Sequence, residues 1–291
     1  MYNSRRALII GINTYQHGTN LSTCTADAEA MGQLLAEHED KRPNYDCRIL
    51  LDQTEKGAPI TMAVLREACE QLFSDTKDDV LFYFSGHGAL TSFGGHLCAA
   101  DSVRNNLGLP MQEIMQMAYD SKARDILMIL DCCHSGDLGN SSILRGGHGG
   151  DLLTALRTDM TLIAASQSRE PSFEGEKYSV FTSSVLDALR GGAADHLGWV
   201  TAPSIYAYVE RRFSWKDRQR PVYKTNATGI PVVRQCSSLV DRLKLRRLVE
   251  LFVDQDYRYV LDPEFEPYDE EGRLPENVNE EKVGIAKLFK I

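Results

Sequence analysis

The chain has 291 residues, 43% of them hydrophobic and 25% charged, and its formal net charge is −9. This composition is typical of a globular protein, and no apolar run reaches the roughly 20 residues that a membrane-spanning helix requires. The negative charge argues against nonspecific binding of nucleic acid, which depends on clustered lysine and arginine side chains. We therefore expect one large domain with a smaller appendage, and neither a membrane nor a nucleic-acid partner.

The N-terminal residues and the cysteines both bear on the cellular compartment. The opening apolar segment is too short for a secretory signal peptide, and no small-residue cleavage site follows it. The seven cysteines are odd in number and scattered, unlike the dense disulfide framework of small secreted domains. Both features predict a cytoplasmic protein with reduced thiols.

Short apolar runs alternate with amphipathic stretches along the first two thirds of the chain. The apolar runs, which are typical of buried parallel strands, cover residues 6–13, 47–51, 79–84, 126–130 and 162–165. The helical stretches cover residues 26–38, 61–73, 111–119 and 180–189. This alternation predicts an α/β fold with a mostly parallel, twisted sheet and helices on both of its faces.

The composition changes twice along the chain. Residues 137–158 are rich in glycine, serine and asparagine, which predicts a flexible loop. After residue 233 the alternation ends, and a helical segment is followed by an acidic, proline-containing stretch. We therefore divide the chain into residues 1–136, a loop at 137–160, residues 161–235, and a helical and acidic C-terminal extension at 236–291.

Two of the predicted strands are followed by residues that carry chemistry. The first sequence is Phe84-Ser-Gly-His-Gly88 and the second is Leu130-Asp-Cys-Cys-His-Ser-Gly136. Loops at the carboxyl ends of neighbouring parallel strands converge on one crevice. A histidine and a cysteine in one crevice can form a nucleophile and its base, because a nearby imidazole favours the thiolate.

The glycines of these motifs suit the binding of an oxyanion, since no side chain blocks the backbone N–H groups. We expect the N–H groups of Gly88 and Cys133 to be the donors. In this scheme the Cys133 sulfur attacks a peptide carbonyl, His87 protonates the leaving amine, and water hydrolyses the thioester.

The two motifs together resemble the paired signatures of metacaspases and related caspase-fold cysteine peptidases. The separation between His87 and Cys133 is 133 − 87 = 46 residues, against roughly 50 in caspases. The resemblance covers about residues 5–234. It implies a caspase-like fold with a six-stranded sheet, in which residues 1–136 and 161–235 are the large-subunit-like and small-subunit-like parts of one catalytic domain. It also assigns the nucleophile to Cys133 and the base to His87.

Composition alone does not decide which cysteine attacks, and other interpretations of the motifs exist. Cys132 and Cys133 could be a small hydrophobic pair that ends a strand, or with His134 a partial metal site. A caspase-fold scaffold that binds partners without cutting them is a further alternative. So is a legumain-like or clostripain-like peptidase, which would share the mechanism but have a different pocket.

The resemblance also implies the substrate preference. In metacaspases the pocket for the residue before the scissile bond is acidic, and the matching positions here are Asp27 and Asp131, with Ser85 in the pocket lining. Two carboxylates can bind a guanidinium and would repel an acidic side chain, so cleavage after arginine or lysine is expected. The alternative roles are a charge at a helix N-terminus for Asp27 and a turn acceptor for Asp131.

An enzyme of this specificity could cut its own loop. Arg145 and Arg157 lie in the glycine-rich region and are the candidate self-cleavage sites, because exposed loops are where nicking concentrates. The extension at 236–291 is outside the resemblance. We expect it either to dock on the peptidase as a helical addition or to lead to a further domain, and in that way to sense a signal or bind a regulatory partner. Family analogy suggests a bacterial defence or stress role.

Many metacaspases require calcium, and this sequence offers few ligands for it. Asp101 and Asp137 are available, but Asn140 stands where an acidic ligand is expected. Calcium takes six to eight oxygen ligands, often several of them carboxylates. We therefore predict no required cofactor and no obligatory calcium.

Overall fold

The structure is a computed structural model that describes residues 4–52, 59–74, 77–91, 94–134, 156–165, 177–213 and 221–238. For Leu90, Cys133 and His134 the description is limited to the backbone. The chain divides into two compact units, residues 1–237 and 238–291. The predicted C-terminal extension therefore lies almost entirely outside the described residues, as does most of the predicted loop at 137–160.

The first unit contains a central sheet. Its strands run in the order β2, β1, β3, β6, β7 and β9. The first five are mutually parallel, and β9 is antiparallel at the edge. The strand bounds are β1 Arg5–Gly11, β2 Asp46–Leu51, β3 Asp79–Thr91, β4 Gly94–Leu97, β5 Leu109–Pro110, β6 Ile126–His134, β7 Met160–Ala164, β8 Trp199–Thr201, β9 Val222–Thr225 and β10 Val232–Gln235. This order confirms the predicted six-stranded, mostly parallel sheet. Antiparallel β4 and β5 extend it beside β3, and β8 pairs with β10 separately.

Helices cover both faces of the sheet, as the alternation predicts. Their bounds are α1 Cys24–Ala36, α2 Met62–Phe73, α3 Met111–Asp120, α4 Val180–Asp187 and α5 Ala202–Arg212. The apolar sides of α2 and α3 form one core with one face of the sheet, and those of α1, α4 and α5 form a second core with the other face. Because the central strands are buried on both sides, their side chains are apolar at successive positions. In the described part of the chain no helix is both long and apolar enough to cross a bilayer.

The two motif-bearing strands are longer than the sequence predicts. The apolar pattern ends at Phe84 and Leu130, but β3 continues to Thr91 and β6 to His134. The polar motif residues remain in strand conformation because β3 and β6 pair with each other over this stretch, and β4 pairs with β3 from Gly88 to Thr91. As far as Gly88 and His134, the motif residues therefore belong to the sheet itself and not to loops beyond it.

Candidate active site

The sheet register places the two motifs side by side. In the parallel pairing of β3 with β6, His87 is the register partner of Cys133, and Ser85 is the partner of Asp131. Neighbouring strands lie about 4.8 Å apart, so the backbones of His87 and Cys133 are adjacent. The proposed oxyanion donors are backbone groups of the same two strands, since Gly88 follows His87 in β3 and Cys133 lies in β6.

The His87 imidazole is buried and has one clear hydrogen-bond partner. Its Nε2 lies 2.7 Å from the backbone carbonyl oxygen of Thr19. A carbonyl can only accept, so Nε2 carries the proton. Nδ1 is shielded from solvent and has no partner among the described residues. This tautomer leaves Nδ1 as the nitrogen that can accept a proton from a thiol.

Tyr15 holds the backbone and ring of His87. Its hydroxyl oxygen accepts from the His87 backbone N–H at 2.8 Å, and the two ring centroids are 4.5 Å apart. The hydroxyl also donates to the Ile12 carbonyl at 3.2 Å, and burial raises the pKa of Tyr15, so the phenol stays neutral. A Cβ on Gly86 would lie 2.7 Å from the Tyr15 oxygen, which explains why this position is glycine. Neither Tyr15 nor Thr19 was identified from the sequence.

The two predicted pocket carboxylates are buried close to this pair of strands. Asp27 lies in the first turn of α1 and is 0% exposed, and Asp131 lies in β6 and is 3% exposed. Ser85 donates its hydroxyl to Asp27 at 3.1 Å. The three predicted pocket residues are thus brought together by α1, β3 and β6.

The start of α4 links the two carboxylates. The Ser179 backbone N–H donates to Asp27 at 3.0 Å, and the Ser179 hydroxyl donates to Asp131. The Thr182 hydroxyl donates to Asp131 at 2.6 Å, and its backbone N–H donates to the Ser179 oxygen at 2.9 Å, which caps the helix. Sequence reasoning missed both residues. The only signal was a serine just before a helical stretch, which is the ordinary signature of an N-cap.

Burial dominates the electrostatics of this pair. It raises the pKa of Asp27 to about 7, with the negative charge of Asp131 as the next cause, while donors from Ser179 and Ser85 act in the opposite direction. Burial also raises the pKa of Asp131. Among the described residues no lysine or arginine forms an ion pair with either carboxylate. A nearby cation would offset the cost of ionising this buried pair, and none of the described residues supplies one by an ion pair.

Arg157, one of the two predicted self-cleavage sites, is engaged in the fold. Its guanidinium donates to the carbonyl oxygens of Ser121 at 2.8 Å and Ala123 at 2.6 Å, just beyond the end of α3. This contact could not be predicted from the sequence, because the partners are more than thirty positions away. Arg145 lies outside the described residues.

The described residues bear only in part on the calcium prediction. The Asp101 carboxylate accepts from the Met62 backbone N–H at 2.8 Å, so it serves the start of α2. Asp137 and Asn140 lie outside the described residues. In the part of the chain that the structure describes, no group of three or more His, Cys, Asp or Glu side chains could hold a metal ion. Cys132, which the alternative metal site would use, is buried. The prediction that calcium is not required stays a prediction.

Comparison with known proteins agrees with this architecture. The sequence profile described as "Caspase domain" matches residues 4–239. Metacaspase-1 of the yeast Debaryomyces hansenii is 27% identical over 147 residues, which is 45% of this chain and 33% of that protein. The match thus spans about a third of the relative's length. A protein of known crystal structure from Geobacter sulfurreducens superimposes with a TM-score of 0.57 at 19% identity, covering 81% of this chain and 98% of the other. At that identity the likeness concerns the fold alone.

Proposed function

The chain belongs to the caspase-domain family of cysteine peptidases, and from this premise we propose that it is an endopeptidase that cleaves proteins after arginine or lysine. The observation that carries the proposal is the buried pair Asp27 and Asp131, placed beside the strand positions of His87 and Cys133 and lacking a cationic partner among the described residues. A cationic substrate side chain is the group that such a pair would bind.

The proposed chemistry begins with the neutral imidazole. His87 Nδ1 accepts the proton of the Cys133 thiol, and the imidazolium that forms keeps its Nε2–H on the Thr19 carbonyl. The thiolate attacks the scissile carbonyl carbon and generates an oxyanion, which the N–H groups of Gly88 and Cys133 bind. The imidazolium then protonates the leaving amine as the C–N bond breaks. Water, deprotonated by His87, hydrolyses the thioester and regenerates the thiol.

The proposed specificity follows from charge. The guanidinium of a substrate arginine presents several donors in a fixed fork, which suits two carboxylates from different elements. Lysine would bind as a point charge. An aspartate in the same place would bring a third carboxylate into a buried site, where repulsion and desolvation both oppose it.

A panel of fluorogenic peptides that differ only in the residue before the cut tests this proposal. We expect hydrolysis after Arg and Lys, none after Asp or Gln, and complete loss of hydrolysis in Cys133→Ala and His87→Ala. Cys132→Ala is the matched control, because it removes a neighbouring buried thiol without removing the proposed nucleophile, and it should remain active. Preference for Asp would reject the pocket assignment. Loss of activity in Cys132→Ala but not in Cys133→Ala would reject the nucleophile, and an inactive wild type would favour the binding scaffold.

The loop at 137–160 is proposed to be processed by the enzyme itself, at Arg145 in preference to Arg157. The Arg157 guanidinium would have to leave its carbonyl partners before it could enter a specificity pocket. Denaturing gels of Arg145→Gln and Arg157→Gln test this. We expect only the first substitution to keep the chain intact, and continued cleavage of Arg145→Gln would reject the site.

We further propose that the peptidase acts in the cytoplasm without obligatory calcium, and that residues 236–291 recruit a regulatory partner in a stress or defence response. The calcium prediction is the simplest to check. Peptide hydrolysis should persist in excess chelator. Complete loss in chelator that added calcium restores would contradict it.

A further inference from the structure

A second site lies apart from the two motifs. An open cavity of about 340 Å³ is lined by residues of the first half of α2, of strands β3 and β4, and of the segment 104–110 that leads into α3. None of the proposed catalytic or specificity residues lines it. Its volume is at the lower end of the range for small-molecule sites, so it suits a compact ligand and not a folded partner.

The polar lining of this cavity consists of hydrogen-bond donors. It includes Arg66, Thr91, His96, Arg104, Asn105 and Asn106. Among the residues that the structure describes, no carboxylate lines the cavity, although the chain as a whole carries a net charge of −9. A concentration of cationic and amide groups in an acidic protein selects for a negatively charged ligand.

The two arginines differ in whether they already form an ion pair. Arg66 is held by a two-point ion pair with Glu113 of α3, at 2.5 and 3.1 Å. Arg104 is exposed and forms neither an ion pair nor a hydrogen bond with any other described residue. His96 lines the same cavity, and its Nδ1 is shielded from solvent and has no partner among the described residues. Arg104 is therefore the charge that remains available to a ligand.

We propose that this cavity binds a small anion with a doubly charged phosphate group. The planar fork of an arginine matches two oxygens of a phosphate, and the Asn105 and Asn106 amides can supply further donors. Arg66, whose orientation is fixed by Glu113, lines the same cavity and adds further N–H donors. This inference goes beyond the peptidase proposal and does not depend on it.

The cavity is connected to the proposed catalytic histidine through β4. His96 lines the cavity, Leu97 is the register partner of Gly88, and the Cys98 N–H donates to the His87 carbonyl at 2.9 Å. The strand that forms one wall of the cavity thus also supports the backbone of His87.

Calorimetric titration of the full-length protein tests the proposal. Sodium phosphate, glycerol phosphate and malonate are titrated separately at an ionic strength held constant with sodium chloride. We expect saturable binding of one phosphate per chain, and Arg104→Gln should weaken it about tenfold or more, as for the loss of a charge-assisted hydrogen bond. The matched control is Arg211→Gln, because Arg211 is another exposed arginine, on α5, and its replacement changes the net charge equally. Its affinity for phosphate should equal that of the wild type.

The remaining arms identify the ligand and can overturn the site. Tighter binding of glycerol phosphate than of phosphate would identify an organic phosphate as the natural ligand, and the reverse order would identify the free ion. No saturable binding, or equal weakening in Arg104→Gln and Arg211→Gln, would reject the site. Malonate that binds as tightly as phosphate would reject the phosphate assignment. His96→Gln should also weaken phosphate binding, because His96 lines the same cavity. Unchanged affinity in both Arg104→Gln and His96→Gln would reject the proposal.

Discussion

The two ends of the central sheet bury carboxylates in different ways. At the start of β3, Asp79 is 4% exposed and forms ion pairs with Arg5 and Arg124. At the other end of the same strands, Asp27 and Asp131 are buried at least as deeply, but the hydrogen bonds described for them come from serine and threonine. The charge of a buried carboxylate such as Asp79 is balanced within the fold by its arginine partners. A buried pair that has only neutral donors among the described residues would be stabilised by a cationic ligand, as the proposed specificity requires.

The largest effect should come from neutralising one pocket carboxylate. In Asp131→Asn, the amide oxygen can still accept from Ser179 and Thr182, but the charge is lost. We expect kcat/KM for an arginine peptide to fall about 100-fold or more, as for the removal of one partner of a buried charge pair. The free energy of unfolding should change by less than about 1 kcal/mol, because relief of like-charge repulsion offsets the weaker hydrogen bonds. Steady-state kinetics measures kcat/KM, and urea unfolding measures the free energy of unfolding. A loss of stability with unchanged kcat/KM would contradict the comparison, because Asp131 would then be a structural residue.

Asp79→Asn at the opposite end should give the inverse result. It removes the anionic partner of Arg5 and leaves Arg124 with Asp125 alone, so we expect a loss of about 2 kcal/mol in the free energy of unfolding, reduced by the partial exposure of Arg124. The Arg-to-Lys selectivity of the folded protein should not change. A change in selectivity without loss of stability would show that Asp79 is not purely structural.

The pKa of Asp27 predicts a pH dependence. Because its folded pKa is raised to about 7, an arginine peptide should bind Cys133→Ala about tenfold more tightly at pH 8 than at pH 6, as the pocket becomes fully charged. Stability should respond in the opposite sense. The folded state holds this proton at pH values where the unfolded carboxyl has lost it, so the Asp27 contribution to the free energy of unfolding falls from about pH 4 to pH 7. Calorimetry on Cys133→Ala and on its Asp27→Asn derivative measures the effect, which should be absent from the second protein.

The smallest expected effect comes from removing a hydroxyl that donates to a pocket carboxylate, compared with removing a hydroxyl that bonds only within its helix. Ser179→Ala removes the donor to Asp131 and the cap of α4, and we expect KM for an arginine peptide to rise about fivefold with little change in kcat. Ser184→Ala is the matched control in the same helix, since among the described residues the Ser184 hydroxyl bonds to the Val180 carbonyl alone, at 2.8 Å. Equal KM values for the two variants would place Ser179 among purely structural residues.

Much of the fold could be predicted because apolar periodicity is a local property. Strand and helix alternation predicted the parallel sheet, and the helix bounds agree within two residues for α1, α2 and α3. The extent of β3 and β6 could not be predicted in this way. Their last stretches lose the continuous apolar pattern at Ser85 and Asp131, and they remain in the sheet because neighbouring strands supply backbone hydrogen bonds.

By itself the sequence determined which chemical groups are available: a histidine, a cysteine, two aspartates and a serine in motifs whose order and spacing resemble one family. Only the tertiary structure decided what each group contacts. The Thr19 carbonyl that fixes the His87 tautomer is 68 positions away, and the Ser179 donor to Asp27 is 152 positions away. Such contacts depend on how helices and strands pack, and a local pattern does not encode them. The raised pKa of Asp27 has the same origin, because it follows from burial and from a second carboxylate that the fold brings near.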